Sequence, residues 1–373
     1  MESLRRLRVF SGALHGSRAF TGPTSVMIDI CNRCNFRCSL CWYHSPFLEH
    51  DDEWRKKVLD FDVLEGTIDE LTDLGVQEIQ LTGEGEPFMH PRVMDVIRRI
   101  KSRRLRLQIT SNGSFFDDGI VSEIVDLGVD ELSISVWAGT EEGFVGLHPG
   151  SSAKTFDVVV ENLHKLHQAK RQQGVDLPKT RIVNAICTTN VREIPEMIEL
   201  GERVGADEIY FRFGGITPGV EFLSLTEEDV RYLKELLPSL VKSREGKRPE
   251  TNLGGNMLDL LDTGDFDRNY LHGLADQIPC YVGWYFARIL VDGTVVPCCA
   301  CDDSKEMGNI SRQRFRDVWN GERYQEFRKR AMGSLDDPYF EGCGCLSTCP
   351  HYHSNAAFHG RAPVRMSNRL RRR

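Results

Sequence analysis

Val26-Met-Ile-Asp-Ile30-Cys31-Asn-Arg-Cys34-Asn-Phe-Arg-Cys38-Ser-Leu-Cys41 joins two signals in one short segment. A β-branched, apolar run reads as a buried strand, and a loop crowded with thiols follows it directly. The strand signal recurs at Val76–Leu81, Leu105–Thr110, Leu132–Val136, Ile182–Cys187 and Ile209–Phe213. Between these runs the apolar residues take helical spacing, as at Leu64, Ile68 and Leu71, at Val93, Val96, Ile97 and Ile100, and at Phe156, Val159, Leu163 and Leu166. Strand then helix, six times over, predicts a parallel α/β architecture with right-handed crossovers across residues 25–240. Periodicity alone leaves an open sheet and a barrel both available. Either one gathers its functional loops at the carboxyl ends of the strands.

The rest of the chain bounds that reading. Its 373 residues, 40% hydrophobic and 27% charged, fit a soluble globular protein of two or three domains. No apolar run approaches the roughly eighteen residues of a membrane span, so no membrane partner is expected. A net charge of −8 argues against a nucleic-acid binder held by phosphate contacts. Arg5, Arg6 and Arg8 at the start and Arg369, Arg371, Arg372 and Arg373 at the end read as solvated tails. Residues 1–24 read as an N-terminal arm, 241–272 as a linker with one short helix near Met257–Leu261, and 273–373 as a smaller α+β domain. That domain contains a hairpin, Phe286–Leu290 and Val295-Val296 around an Asp292-Gly293 turn, and one helix over Phe315–Arg330.

Twelve cysteines carry the chemistry: four at Cys31, Cys34, Cys38 and Cys41, seven from Cys280 to Cys349, and Cys187 alone. No secretory h-region precedes them, so clustered thiols in a reducing, cytoplasmic setting point to metal rather than disulfides. Thiolate sulfur suits zinc and iron–sulfur centres alike. Cys31-x-x-Cys34 with Cys38-x-x-Cys41 fits a zinc knuckle. Cys34, Cys38 and Cys41 alone fit three irons of a [4Fe–4S] cluster with the fourth left open. The neighbouring strand ends carry Thr82-Gly-Glu-Gly-Glu-Pro87, Thr110-Ser-Asn-Gly113, and Ser133 and Ser135, polar groups that converge on one site beside the cysteine loop.

Together these segments resemble the radical S-adenosylmethionine (SAM) superfamily. The C-x3-C-x2-C motif is matched by Cys34, Cys38 and Cys41, and the Gly-Gly-Glu-Pro motif by Glu84-Gly85-Glu86-Pro87, with Glu84 in place of the first glycine. The resemblance implies a partial (β/α)6 TIM-like barrel and a SAM-binding [4Fe–4S] cluster on those three cysteines. It implies that Glu86, beside Gly85, receives the methionine amino group, and that Asn112 and Ser135 contact the ribose or carboxylate. The family often has an aromatic residue just before the third cysteine. Leu40 stands there, and Trp42 follows the motif as the aromatic candidate for the cofactor. Cys31 falls outside the ligand set.

Cys280, twelve residues, Gly293, four residues and Cys298 resemble the opening of the SPASM and Twitch auxiliary-cluster modules. Val291–Cys298, Met307–Ile310 and Val318–Asn320 add to that likeness, and Cys343, Cys345 and Cys349 close it. One auxiliary [4Fe–4S] cluster is implied, on Cys280, Cys298, Cys345 and Cys349, with Cys343 as the substitute ligand. Cys299 and Cys301 are then spare thiols or ligands of a second auxiliary cluster. A zinc ribbon aided by His351 and His353 is the structural alternative. The implied chemistry is reductive cleavage of SAM to a 5′-deoxyadenosyl radical, hydrogen-atom abstraction, and oxidation of the substrate with the auxiliary cluster as electron acceptor. A reductase, flavodoxin or ferredoxin would supply the electron. Cys187, at the end of the fifth strand, reads first as buried packing and second as a hydrogen donor for epimerisation. Only about 24 residues precede the first strand, too few for a leader-binding domain. The expected substrate is therefore a sugar, aminocyclitol or other small metabolite, with a peptide as the alternative. Trp137, His148, Arg212 and Gly214-Gly215 are candidates to line its pocket. The contrasting class is a non-enzymatic iron–sulfur or zinc protein, which would have no use for the Glu86 loop.

Overall fold

An N-terminal helix, α1 (Glu2–His15), leads into β1 (Ser25–Asp29). Strand and helix then alternate through α2 (Phe61–Asp73), β2 (Glu78–Thr82), α3 (Val93–Ser102), β3 (Arg106–Ser111), α4 (Asp118–Asp126), β4 (Glu131–Ser135), α5 (Glu141–Leu147), α6 (Ala153–Gln173), β5 (Lys179–Ile186), α7 (Ile194–Arg203), β6 (Glu208–Phe213) and α8 (Glu227–Arg244). The computed structural model describes residues 2–254, 256–263, 277–301, 303–341, 343, 345 and 349–360. Side-chain caps start the helices where the sequence supplies them. Asp60 accepts from the amides of Asp62 and Val63 at α2, and Thr226 and Asp229 form a capping box at α8.

Strands β1 to β6 are each parallel to the next, in chain order without reversal. An unreversed order with right-handed crossovers places every helix on one face, so the other face curls inward as a TIM-like partial barrel. The two faces differ in chemistry. Val26, Ile28, Ile79, Leu81, Leu107, Ile109, Leu132 and Ile134 are fully buried against Leu64, Ile68, Val96, Ile97 and their helical neighbours. The alternate residues at the amino ends of the strands point inward and are charged. Arg106 bridges Glu78 at 3.0 Å and Glu131 at 3.7 Å, and Arg181 bridges Glu131 at 2.6 Å and Glu208 at 2.7 Å. Opposite charges on neighbouring strands thus floor the barrel beneath the carboxyl-end loops.

Beyond α8 the sheet continues. β7 (Glu250–Thr251) pairs parallel with β6, and α9 (Asn256–Thr263) seals Met257, Leu260 and Leu261 against Leu233 and Leu237 of α8. The described part of the segment read as a linker therefore belongs to the barrel wall; a two-residue strand among Glu, Lys and Arg is too short to show a period. After α10 (Val282–Tyr285), β8 (Phe286–Ile289) pairs parallel with β1 on its free side. The hairpin partner β9 (Thr294–Val296) and then β10 (Gly308–Asn309) add antiparallel, giving one ten-stranded sheet. Gly293 turns the hairpin at φ +84°, where a Cβ would sit 2.8 Å from Ser311 Oγ. The single helix expected over Phe315–Arg330 is two, α11 (Phe315–Asn320) and α12 (Glu322–Ala331), separated by the extended backbone of Gly321. A last helix, α13 (Tyr352–Gly360), follows the final cysteine.

The N-terminal arm is no free tail. Val9 and Ala13 of α1 pack on Tyr281 and Trp284, Phe10 stacks on Phe358 at 4.3 Å, and Arg5 donates to the Gly22 and Pro23 carbonyls. The basic residues Arg369 to Arg373 lie outside the described residues.

Candidate functional site

The loop after β1 is pinned at its start. The Leu59 amide donates to the Ile30 carbonyl, the Asn32 amide to Lys57, and Cys31 forms an isolated antiparallel bridge with Val58. That bridge holds Cys31 buried, with its thiol toward the Arg33 carbonyl at 4.0 Å. The chain then turns through Cys34, Cys38 and Cys41. Phe36 anchors the turn against Phe144 and His148, and the Cys41 amide donates to Cys38 at 3.0 Å. Burial pushes the Cys34 thiol up to about 12, with Glu86 and the other cysteines adding to the rise. Cys38 and Cys41 are raised for the same first reason. Three half-buried thiols near one carboxylate form a costly group unless metal takes the charge.

The loop after β2 abuts this one. A Cβ at Gly85 would lie 2.5 Å from the Arg33 carbonyl oxygen and 2.6 Å from that of Cys31, so only glycine permits the approach. The next amide, Glu86, donates to Arg33 at 2.7 Å. The Glu86 carboxylate is buried and accepts from the Phe88 amide (3.1 Å), Ser111 Oγ (2.8 Å) and the Asn112 amide (2.7 Å). Burial lifts its pKa to about 7 against those three donors. A cationic amino group placed there would restore the ionised form. Ser111, which the sequence reading passed over, is thus a direct partner of Glu86.

Glu84, in the position of the usual first glycine, has a use in this fold. It accepts from Arg288 of β8 at 3.1 Å, and Arg288 makes two further bonds to Asp29 at the end of β1, at 2.8 and 2.5 Å. Burial pushes Asp29 up to about 7 even with Arg288 pulling it down. Burial lowers the pKa of Arg288, but the charges of Asp29, Tyr43 and Glu84 outweigh it and leave it raised. The three side chains tie β1, the β2 loop and β8 together.

The remaining predicted residues fall as follows. Asn112 bonds Asn35 at 2.8 Å and so links the β3 loop to the cysteine loop. Ser135 ends β4 on the inward face. Trp42 is 53% exposed and donates its indole N–H to the Gly215 carbonyl at 3.4 Å; Leu40 is buried instead, beside Ala185 and Cys187. Cys187 is 1% exposed in that apolar cluster with Trp137 and Leu147, and burial raises its pKa. His148 is packing too: it stacks on Phe144 at 4.1 Å, its Nδ1 bonds the Phe144 carbonyl, and burial lowers its pKa to about 4.

Arg212 differs from these. With Tyr210 it faces a cleft of about 460 Å³ that runs past Asn252 and Met257 to Cys349 and His353. It reaches solvent in the cleft, desolvation by the surrounding protein lowers its pKa, and among the described residues it makes no salt bridge. A larger hollow of about 850 Å³ lies at the turn after α8 and contains no cysteine.

In the C-terminal region Cys280, Cys298, Cys301, Cys345 and Cys349 line one small cavity of about 20 Å³, closed by Val282, Phe327, Leu335 and Phe340. Burial lifts Cys280 to about 12 and Cys349 to about 11. Cys301, read from the sequence as a spare thiol or a ligand of a second auxiliary cluster, belongs to this wall, and its sulfur lies 2.8 Å from that of Cys343. Cys299 turns toward His351 at 3.6 Å. Spacing along the chain could not reveal this, because the Cys298-to-Cys301 turn folds two thiols back over the cavity.

Residues 28–201 match the model of the radical SAM superfamily, and residues 280–350 that of the SPASM iron–sulfur cluster-binding domain. The chain is 24% identical over 323 residues to the tungsten-containing aldehyde ferredoxin oxidoreductase cofactor-modifying protein of Pyrococcus furiosus, covering 81% of this chain and 82% of that one. It is 23% identical to the PqqA peptide cyclase of Gluconobacter oxydans over 80% of this chain and 76% of the relative. Among solved structures, Streptococcus suis SuiB bound to S-adenosylmethionine matches with a TM-score of 0.65 at 16% identity, over 93% of this chain and 77% of SuiB. SuiB has also been solved bound to its precursor peptide SuiA, and that structure matches with a TM-score of 0.64 at 17% identity, over 93% of this chain and 75% of SuiB.

Proposed function

The chain belongs to the radical SAM superfamily and carries a SPASM iron–sulfur domain, and from that premise we propose that it modifies a peptide. Its cofactors are SAM and [4Fe–4S] clusters. The cluster, when bound, supplies the electron that cleaves the SAM sulfonium. Cys34, Cys38 and Cys41 would hold it, Glu86 would take the SAM amino group, and Ser111 and the Asn112 amide would aim that carboxylate. Cys280, Cys298, Cys301, Cys345 and Cys349 are the pool from which the auxiliary ligands are drawn. Leu40, Trp137 and Cys187 form an apolar packed cluster beside the cysteine loop that keeps water from its back.

The cleft carries the choice of substrate. A compact sugar needs an enclosed polar pocket. This cleft runs along β6 from Tyr210 and Arg212 to Cys349, a shape suited to an extended chain, and Arg212, which makes no salt bridge among the described residues, offers its cation to an acidic side chain or carboxylate. The peptide cyclase relative supports the same choice, against the small metabolite expected from the short N-terminal arm. The test is 5′-deoxyadenosine formation by the reconstituted, reduced protein, with a synthetic peptide library in one arm and a panel of sugars and aminocyclitols in the other. Stimulation by a peptide, with loss of two hydrogens from it by mass spectrometry, is expected. Stimulation confined to a sugar that becomes a ketone would reject the peptide reading.

A further inference from the structure

Six ligand-type side chains face the C-terminal cavity, and one of them is not a thiol. His351 lines it together with Cys280, Cys298, Cys301, Cys345 and Cys349. Its Nε2 lies 3.6 Å from Cys299 Sγ, and a ring nitrogen of His351, Cys299 Sγ and Cys298 Sγ all lie within 4.8 Å of one another. Among the described residues this is the one trio of ligand atoms so close. The ring is held in place. Phe286 packs on it at 4.4 Å and Tyr285 at 5.8 Å, and the His351 carbonyl accepts from the Asn355 amide at 2.8 Å, fixing its backbone at the start of α13. His353, two residues on, is exposed and shares none of this.

We propose that His351 is a ligand of the auxiliary iron–sulfur centre, with Nε2 binding beside the Cys298 thiolate. This rests on the reading that the C-terminal cysteines hold such a centre. An imidazole is neutral where a thiolate is anionic, so its substitution makes the centre less negative and raises its reduction potential. A higher potential suits a centre that accepts an electron from an oxidised substrate radical. The packing of Phe286 and Tyr285 would orient the ring, as surrounding groups do for other metal-bound imidazoles.

The test uses the full chain with Cys34, Cys38 and Cys41 changed to Ala, so that only the auxiliary centre assembles, reconstituted anaerobically and grown with 15N-histidine. Pulsed EPR of the reduced centre should show strong coupling to a histidine nitrogen. His351→Cys should retain the iron, lose that coupling and move the midpoint potential to more negative values. A parent centre with iron but no nitrogen coupling would overturn the proposal, as would coupling that survives in His351→Cys. Zinc with no iron in the parent would overturn the iron–sulfur reading itself, and the proposal with it. Should His351→Cys fail to fold, the parent spectrum still decides.

Discussion

Glu86 is a buried carboxyl with a pKa near 7, and that single fact orders its behaviour with pH. Below about 7 the group is neutral and lacks the charge that attracts an ammonium. SAM affinity is therefore expected to rise as pH passes through 7 and then level off, with equilibrium binding from pH 6 to 8.5 as the readout. Glu86→Gln should bind about 10–100-fold more weakly and lose the pH dependence, as expected when a charge-assisted pair is removed. The sign for stability is opposite. The folded pKa lies above the ordinary 4.5, so the native state holds the proton longer, and stability falls as pH rises from 4.5 through 7. Metal-free Glu86→Gln should consequently melt higher than wild type at pH 8. Gly85→Ala should force the cysteine loop away, since the Cβ would meet backbone rather than a movable side chain. The expected result is a stability loss of about 1–3 kcal/mol with reduced iron at the first site, by denaturation and metal analysis. Glu86 and Gly85 were legible in the sequence because they sit in a motif with fixed neighbours. Ser111 was not, because a serine at a strand end has many uses and its bond to Glu86 spans 25 residues.

The elements that the sequence failed to display are short or irregular. β7 and β10 have two residues each, less than one full alternation, and the α11–α12 break turns on the backbone of Gly321. The six barrel strands were legible because each has one mostly apolar face, although Ser111 of β3 and Thr180 and Asn184 of β5 interrupt it. What joins β8 to the barrel was illegible, because Arg288 and Asp29 are 259 residues apart in sequence. Removing this arginine would leave Asp29 and Glu84 buried without a countercharge. Arg288→Met should cost about 3–5 kcal/mol, seen as a lower denaturation midpoint. Adding Asp29→Asn and Glu84→Gly should recover most of that loss. Failure of the triple variant to recover would mean that Arg288 acts through packing rather than charge.

At the scale of the whole molecule, the cleft along β6 reaches the C-terminal cysteine region at Cys349. Two [4Fe–4S] clusters would give about eight irons per chain, falling to about four when Cys34, Cys38 and Cys41 become Ala. Iron unchanged by those substitutions would contradict the assigned ligands. Arg212→Gln should raise the KM for an acidic peptide about tenfold or more while leaving substrate-free SAM cleavage intact, the split expected of a group that touches only substrate. The identity of the auxiliary thiols was the least legible part. Seven cysteines announce metal, but which of them share a cavity depends on a turn at Cys298–Cys301 that carries no periodic signal. The pairing of β8 with β1 has one more consequence. A single hydrogen-bonded ribbon runs beneath both cysteine regions, so neither half can swing away from the other without unzipping four register positions. The interval between the two cysteine regions is thus a constant of the architecture, set by strand spacing rather than by hinge motion, and it is the interval an electron passing between their clusters would cross. Calorimetry of the holoprotein should accordingly show one melting transition; two resolved transitions would mean that the halves are mechanically independent.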